Sequence, residues 1–283
     1  MKRRAITAVL VSAVFAGVAA TALEAHDLFL RPRDYIVEPR GAVDVRVLNG
    51  TFVTSESPVT RDRLVDLSVV GPSGPAHPDH AAWTADGKES GWRVGLGNAG
   101  TYVLGASLLP KTIRLTGTQF NGYLREEGLP DILAARRGAG AGDDPAHERY
   151  SKHVKALVRA EGRGAMPPAD QDTAYRTVLG YPAELVPLSN PYRMRGSGML
   201  EVRALVDGAP AVRQVILSGG RTATGKAIAE RQVRTDREGR ARISLSRPGT
   251  WYVKFIHMVA VPASAGDSVT HESKWATLTF AVR

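Results

Sequence analysis

The 283 residues carry 37 Lys and Arg against 28 Asp and Glu, a formal charge of +9, and no cysteine. The lack of thiols excludes disulfides and thiolate metal sites, so any bound metal must be held by nitrogen and oxygen. The basic residues are scattered and not interleaved with aromatics, which argues against a nucleic-acid partner, while 29 Gly and 17 Pro favour a turn-rich β architecture over a helical bundle.

The chain begins with a basic cluster, Lys2, Arg3 and Arg4, followed by an apolar run from Ala5 to Leu23 that ends in small residues. This is the pattern of an export signal, assigned to residues 1–25, and an uncleaved anchor is the alternative. Small residues at −3 and −1 fit a cut after Ala22; a cut after Ala25 would make His26 the first residue of the mature protein. Both remain open. Loss of residues 1–25 removes three basic residues and one acidic residue and leaves +7. No later stretch is long and apolar enough to cross a membrane.

From Leu28 onward, short alternating runs at 43–50, 64–71, 91–96 and 101–109 are separated by Gly, Pro, Asp and Asn, and predict antiparallel strands. They delimit an N-terminal β-sandwich over 26–118. A helical insertion and connector is expected over 119–190. It contains helix-forming residues at 120–137 broken near Gly128 and Pro130, then a Gly-rich joint. A second helix is expected from Asp144-Pro145 to about Glu161, with Asp as cap, Pro in the first turn, and His147, Tyr150, Val154 and Leu157 on one face. Alternation resumes at 199–208, 212–219, 230–236, 240–246, 250–258 and 274–282, with a turn at 235–239, and predicts a C-terminal β-sandwich over 191–283. The expected class is mainly β: two antiparallel, Ig-like or transthyretin-like sandwiches with a helical insertion between them.

The two halves echo one another. "RVGLGNAGTY" (93–102) aligns without gaps on "RISLSRPGTW" (242–251), a shared strand, turn, strand pattern. Extending the alignment, Trp251, Val253, Phe255 and His257 share a face whose counterpart in the first half ends in Leu108. An imidazole closing an apolar stripe calls for a partner or a purpose. If the last two strands form a hairpin, the start of one brings His271 and Glu272 near His257. Two imidazoles and a carboxylate suit nickel, cobalt, copper or zinc. A mature amino-terminal His26 would add an amine and a ring nitrogen as a chelate.

The other histidines are weaker candidates. His147 and His153, six apart on the expected helix, diverge by about 120°. His77 and His80 sit in a Pro-containing turn. No G-x-S-x-G, H-E-x-x-H or P-loop occurs, and a non-enzymatic role is expected.

"AHDLFLRP" after the signal, "RYSKHVKALV", "ELVPLSNPY", "LVDGAPA", "TDREGRARISLSRPGTWYVKFIHM" and "ESKWATLTF" together resemble a bacterial periplasmic family, the domain of unknown function 4198. Its members are often labelled as components of nickel or cobalt uptake. The resemblance implies a periplasmic, mainly β protein whose C-terminal part is similar to transthyretin-like and carboxypeptidase-regulatory-like domains. The family's histidine after the signal, its strand-ending "HM" and its acidic residue fall at His26, His257-Met258 and Glu272. His271 and Lys274 depart from the residues expected there. The sequence thus points to an exported metal binder using His26, His257, His271 and Glu272, with nickel or cobalt favoured and a membrane uptake transporter as partner. A metal-independent adhesion or scaffolding module binding polysaccharide or protein is the rival, and a copper-dependent oxidase with an amino-terminal histidine a third reading.

Overall fold

The computed structural model describes residues 26–162, 167–262 and 268–283. The expected signal peptide and both candidate cleavage sites lie outside these residues. The N-terminal part supplies β1 (Asp27–Pro32), β2 (Ile36–Val37), β3 (Ala42–Gly50), β4 (Leu64–Gly71), β5 (Gly74–Ala76), β6 (Thr84–Asp86), β7 (Glu89–Gly95), β8 (Gly100–Leu108) and β9 (Lys111–Leu115). Two helices follow, α1 (Gly117–Glu126) and α2 (Pro130–Gly138), and then a long strand, β10 (Ala146–Ala160). The C-terminal part adds β11 (Ala183–Pro187), β12 (Gly198–Val206), β13 (Ala209–Pro210), β14 (Val215–Arg221), β15 (Ala227–Arg234), β16 (Arg240–Leu245), β17 (Gly249–Ala260) and β18 (His271–Val282).

The chain is mainly β, as its composition predicts, but its halves are joined differently from the expectation. A ten-stranded sheet runs β15-β14-β17-β18-β10-β8-β4-β5, with β2 and β9 also paired to β10. One four-stranded sheet, β1-β3-β7-β6, covers one face, and another, β11-β12-β13 with β16 on β12, covers the other. Successive side chains of β10 point to opposite faces. Val154, Ala156 and Val158 enter a core with Leu28, Val45 and Trp92, while Leu157 enters a second core with Leu185, Val202 and Ile243. The two sandwich cores therefore share a single sheet.

The expected helix from Asp144 to about Glu161 is corrected: residues 146–160 form β10. It pairs in parallel with β18, Glu148 opposite His271 and Ala156 opposite Thr279, so the shared sheet is mixed and not purely antiparallel. The segment has helix-forming composition, yet its place at the middle of the sheet decides its conformation, since tertiary context overrides propensity. The span 119–190 accordingly holds most of α1, all of α2 and two strands, β10 and β11.

The sequence echo has a structural counterpart. The aligned glycines Gly100 and Gly249 have φ of 153° and 149°, a backbone conformation that side chains rarely adopt. A Cβ on Gly249 would meet the Arg221 carbonyl oxygen at 2.2 Å. Two residues on, the aligned aromatics donate to backbone carbonyls at matched positions, Tyr102 Oη to Asn98 (2.7 Å) and Trp251 Nε1 to Arg247 (3.2 Å). The same corner is built twice.

Helix α1 starts in a capping box: Gln119 N–H donates to Thr116 Oγ1 (3.3 Å) and Thr116 N–H to Gln119 Oε1 (3.0 Å). Its buried face, Phe120, Tyr123 and Leu124, packs with Tyr150, Ile256, Met258 and Trp275 of the shared sheet. Thr116→Ala is expected to cost about 1 kcal/mol, read as a lowered urea midpoint at unchanged slope.

Candidate functional site

The antiparallel register of β1 with β3 sets Asp27 opposite Gly50, which brings the loop after Gly50 beside the start of β1. In that loop Glu56 N–H donates to the Asn49 carbonyl (2.9 Å), and its carboxylate Oε2 lies 3.0 Å from Nε2 of His26. The imidazole and the carboxylate are both partly open to solvent. The backbone of His26 is held from the other side, where the buried Lys152 ammonium donates to its carbonyl and to Asn49 Oδ1.

This pair stands at a cleft of about 410 Å³ between the end of α1 and β17. Glu126, Glu127, Asp27 and Glu230 contribute carboxylates, and Lys254 contributes an ammonium. Lys254 Nζ bridges Asp27 Oδ2 (2.5 Å) and Glu127 Oε2 (2.7 Å). Burial pulls that ammonium down, but the two carboxylates outweigh it and hold it well above its ordinary range. Burial and the nearby Asp27 push Glu127 the other way, up to about 7, against the pull of Lys254. Tyr252 donates to Glu230 (2.9 Å), and its ring packs with Phe29 and Phe52. One wall is thus aromatic and the other acidic.

The other sequence-predicted ligands go elsewhere. Strands β17 and β18 do form the expected hairpin, but Ala260 is opposite His271, Val259 opposite Glu272, and His257 opposite Lys274. Strict alternation then puts His257 and Glu272 on one face and His271 on the other. His271 Nδ1 lies 2.9 Å from Thr270 Oγ1, and its ring packs against Phe120. Burial, reinforced by Arg136, lowers its pKa to about 4. His257 Nδ1 lies 3.2 Å from Gln214 Oε1, and burial and then Lys274 lower its pKa against the pull of Asp207. Glu272 Oε2 is 3.5 Å from Arg149 Nη2. The four residues named from sequence are not brought into one cluster. Among the described residues no group of three or more His, Cys, Asp or Glu side chains is placed to hold a metal ion.

His147 and His153 lie on a strand and not a helix, so an even spacing of six sets them on the same face. His153 is buried between Ser107 Oγ (2.9 Å) and Ser151 Oγ (3.0 Å). His77, expected in an unorganised turn, lies 2.8 Å from Asp66, whose carboxylate also accepts from Tyr181 and Ser68. Sequence reasoning missed Glu56. Its one signal is the β1–β3 register, since pairing His26's strand with 43–50 delivers the next few residues to the same edge.

A model of the family described as domain of unknown function (DUF4198) matches residues 23–259. The chain belongs to this family. The match takes in the candidate site and every strand of the shared sheet except β18 and the last residue of β17. No curated protein matches it at a significant level. Among solved structures, the two fibronectin type-III domain segment from chicken tenascin is similar at 14% identity and a TM-score of 0.21, over 91% of this chain and 98% of that one. Among the described residues no helix is long and apolar enough to cross a membrane.

Proposed function

We propose that this DUF4198 protein is an exported, periplasmic, non-enzymatic binder of a divalent transition metal, with His26 as the anchoring ligand. The observation that carries the reading is the His26–Glu56 pair at the rim of an acidic cleft. A carboxylate on Nε2 fixes the tautomer and leaves Nδ1 as the available nitrogen, which is the usual support given to a ligating imidazole. Cleavage after Ala25 would set the new amine beside Nδ1, and the Lys152 contact to the His26 carbonyl would hold that residue's backbone in place. Carboxylates of the cleft would supply oxygen donors and attract the cation. Nickel or cobalt is favoured only by what the sequence resemblance implies; the donor types also suit copper and zinc. A half-exposed site suits release to a membrane transporter better than a closed structural site would. His257, His271 and Glu272 have no part in this version. The C-terminal part, which we take to be a transthyretin-like sandwich, would serve as the wall that carries Tyr252 and Lys254.

Calorimetric titration of the secreted protein with nickel, cobalt, copper and zinc tests the reading. Saturable binding should be lost in His26→Ala, weakened about 10- to 100-fold in Glu56→Gln, and unchanged in His257→Ala. Mass spectrometry of the secreted chain should find His26 first. Absence of saturable binding to the unaltered protein would overturn it and favour a metal-independent adhesion module; loss only in His257→Ala would overturn His26 as the anchoring ligand.

A further inference from the structure

A second cavity, of about 280 Å³, opens on the same face of the shared sheet and is chemically opposite to the acidic cleft. The register of β10 with β9 ends at Tyr150 opposite Lys111, and that with β8 begins at Leu157 opposite Val103. Lys152 lies in the stretch between, where the two partner strands diverge, and the loop 57–63 roofs the opening. Three cationic side chains line it, Arg63, Lys111 and Lys152, against one carboxylate, Asp62.

Lys152 is 3% exposed, and its hydrogen-bond partners are neutral oxygens, the His26 carbonyl and Asn49 Oδ1, with the rings of Tyr150 and Trp275 at about 5 Å. Those two hydrogen bonds leave one of its three N–H donors. Among the described residues no carboxylate comes within ion-pair distance of it; Asp27, Glu148 and Glu127 act on it from farther away, and Arg63 acts against it. Burial lowers its pKa to about 8, the mark of a cation short of nearby negative charge. Independently, Arg63 Nε is buried without a hydrogen-bond partner while Nη2 donates to the Leu109 carbonyl (2.6 Å). Buried cations and orphaned charged donors are costly unless something completes them.

We propose that this cavity is a binding site for a small oxyanion, phosphate or carboxylate, held between Lys152, Arg63 and Lys111. The anion would take the remaining Lys152 proton and the Arg63 Nε–H, with the hydroxyls of Ser57 and Thr60 at hand. The proposal is independent of the metal reading.

The test is calorimetry of the full secreted protein in metal-free buffer with inorganic phosphate in one arm and succinate in the other, and with chloride as control. Saturable binding in either arm supports the site and names its chemistry. It should fall at least 10-fold in Arg63→Gln and severalfold in Lys111→Gln. The latter replaces an exposed side chain and does not threaten the fold. No saturable binding of either anion, or equal binding by the unaltered protein and both variants, would overturn the proposal. Because no metal is present, neither result depends on His26.

Discussion

Asp172→Ala should lower the unfolding free energy by about 3–5 kcal/mol, the range found when one partner of a buried ion pair is removed. Asp172 reaches into the interior from the connector after β10 and is 2% exposed. Its Oδ1 accepts from Thr101 N–H (2.7 Å) and its Oδ2 from Arg159 Nη1 (2.6 Å) and Asn190 Nδ2 (3.0 Å). Arg159 is fully buried, and its Nε and Nη2 already lack hydrogen-bond partners. Without Asp172 its nearest carboxylate is Glu161, 3.8 Å from Nε. The network ties the connector and the Asn190 turn to β8 and β10, at the seam where the two cores share a sheet. A double replacement, Arg159→Met with Asp172→Leu, should recover most of the loss, because the desolvation cost leaves with the charges. Urea unfolding of the unaltered protein and the two variants decides it; a loss under about 1 kcal/mol in Asp172→Ala would show that water reaches the guanidinium.

The strands that sequence located well either alternate cleanly between core and solvent or are covered throughout by apolar and small residues, as β8 is. Ala42–Gly50 and Arg240–Leu245 alternate in burial along most of their length and are bounded in the structure within one residue of the runs 43–50 and 240–246. The paired glycines at 100 and 249 are legible for a different reason: each must adopt a backbone that other residues resist, so the same letter recurs at the same offset. Strand β10 was illegible because its two covered faces carry charged side chains. Glu148, Lys152, Lys155 and Arg159 are all buried among its apolar residues, so polarity no longer reports which side faces water. Lys155 is satisfied by Glu184 (2.7 Å), 29 residues away. A spacing of polar residues that reads as a helix face is in fact a set of buried charges, each waiting for a partner that only the fold supplies.

The candidate site divides along the same line. His26 was singled out from its place after the expected signal, whereas Glu56 is a loop carboxylate with no local pattern. The reading of His257, His271 and Glu272 as neighbours used the hairpin but not its pleat. Pairing the strands brings their ends together, and the period of two then separates consecutive residues onto opposite faces. His271 and Glu272, adjacent in sequence, could not both have faced His257.

The second large effect concerns acid. Lowering the pH from about 6.5 to about 4 should cost the native state roughly 3 kcal/mol through His153 alone, at about 1.4 kcal/mol per pKa unit. Burial, and then the Lys274 ammonium, lower this imidazole to about 4 against the pull of Asp207. Around it are Ser107, Ser151 and the Tyr181 ring at 6.1 Å, none of which supplies a negative charge. In the unfolded chain the ring takes a proton near 6.5, in the native state only near 4. Between those values the unfolded state binds more protons, so this contribution makes stability rise with pH across the window and level off above it. His271, lowered to about 4 by burial and Arg136, acts in the same direction. Glu127, raised to about 7, opposes both: its native state holds the proton longer, so its contribution falls as pH rises from about 4.5 to about 7. The total slope is therefore a balance, and the informative quantity is the difference between the unaltered protein and His153→Gln, whose amide can still bond the two serines. That difference should shift in favour of the variant by a few kcal/mol between pH 7 and pH 4, measured by urea unfolding at each pH. Parallel curves would mean that the native imidazole accepts its proton at an ordinary pH, and that the cavity around it is wetter than its contacts imply.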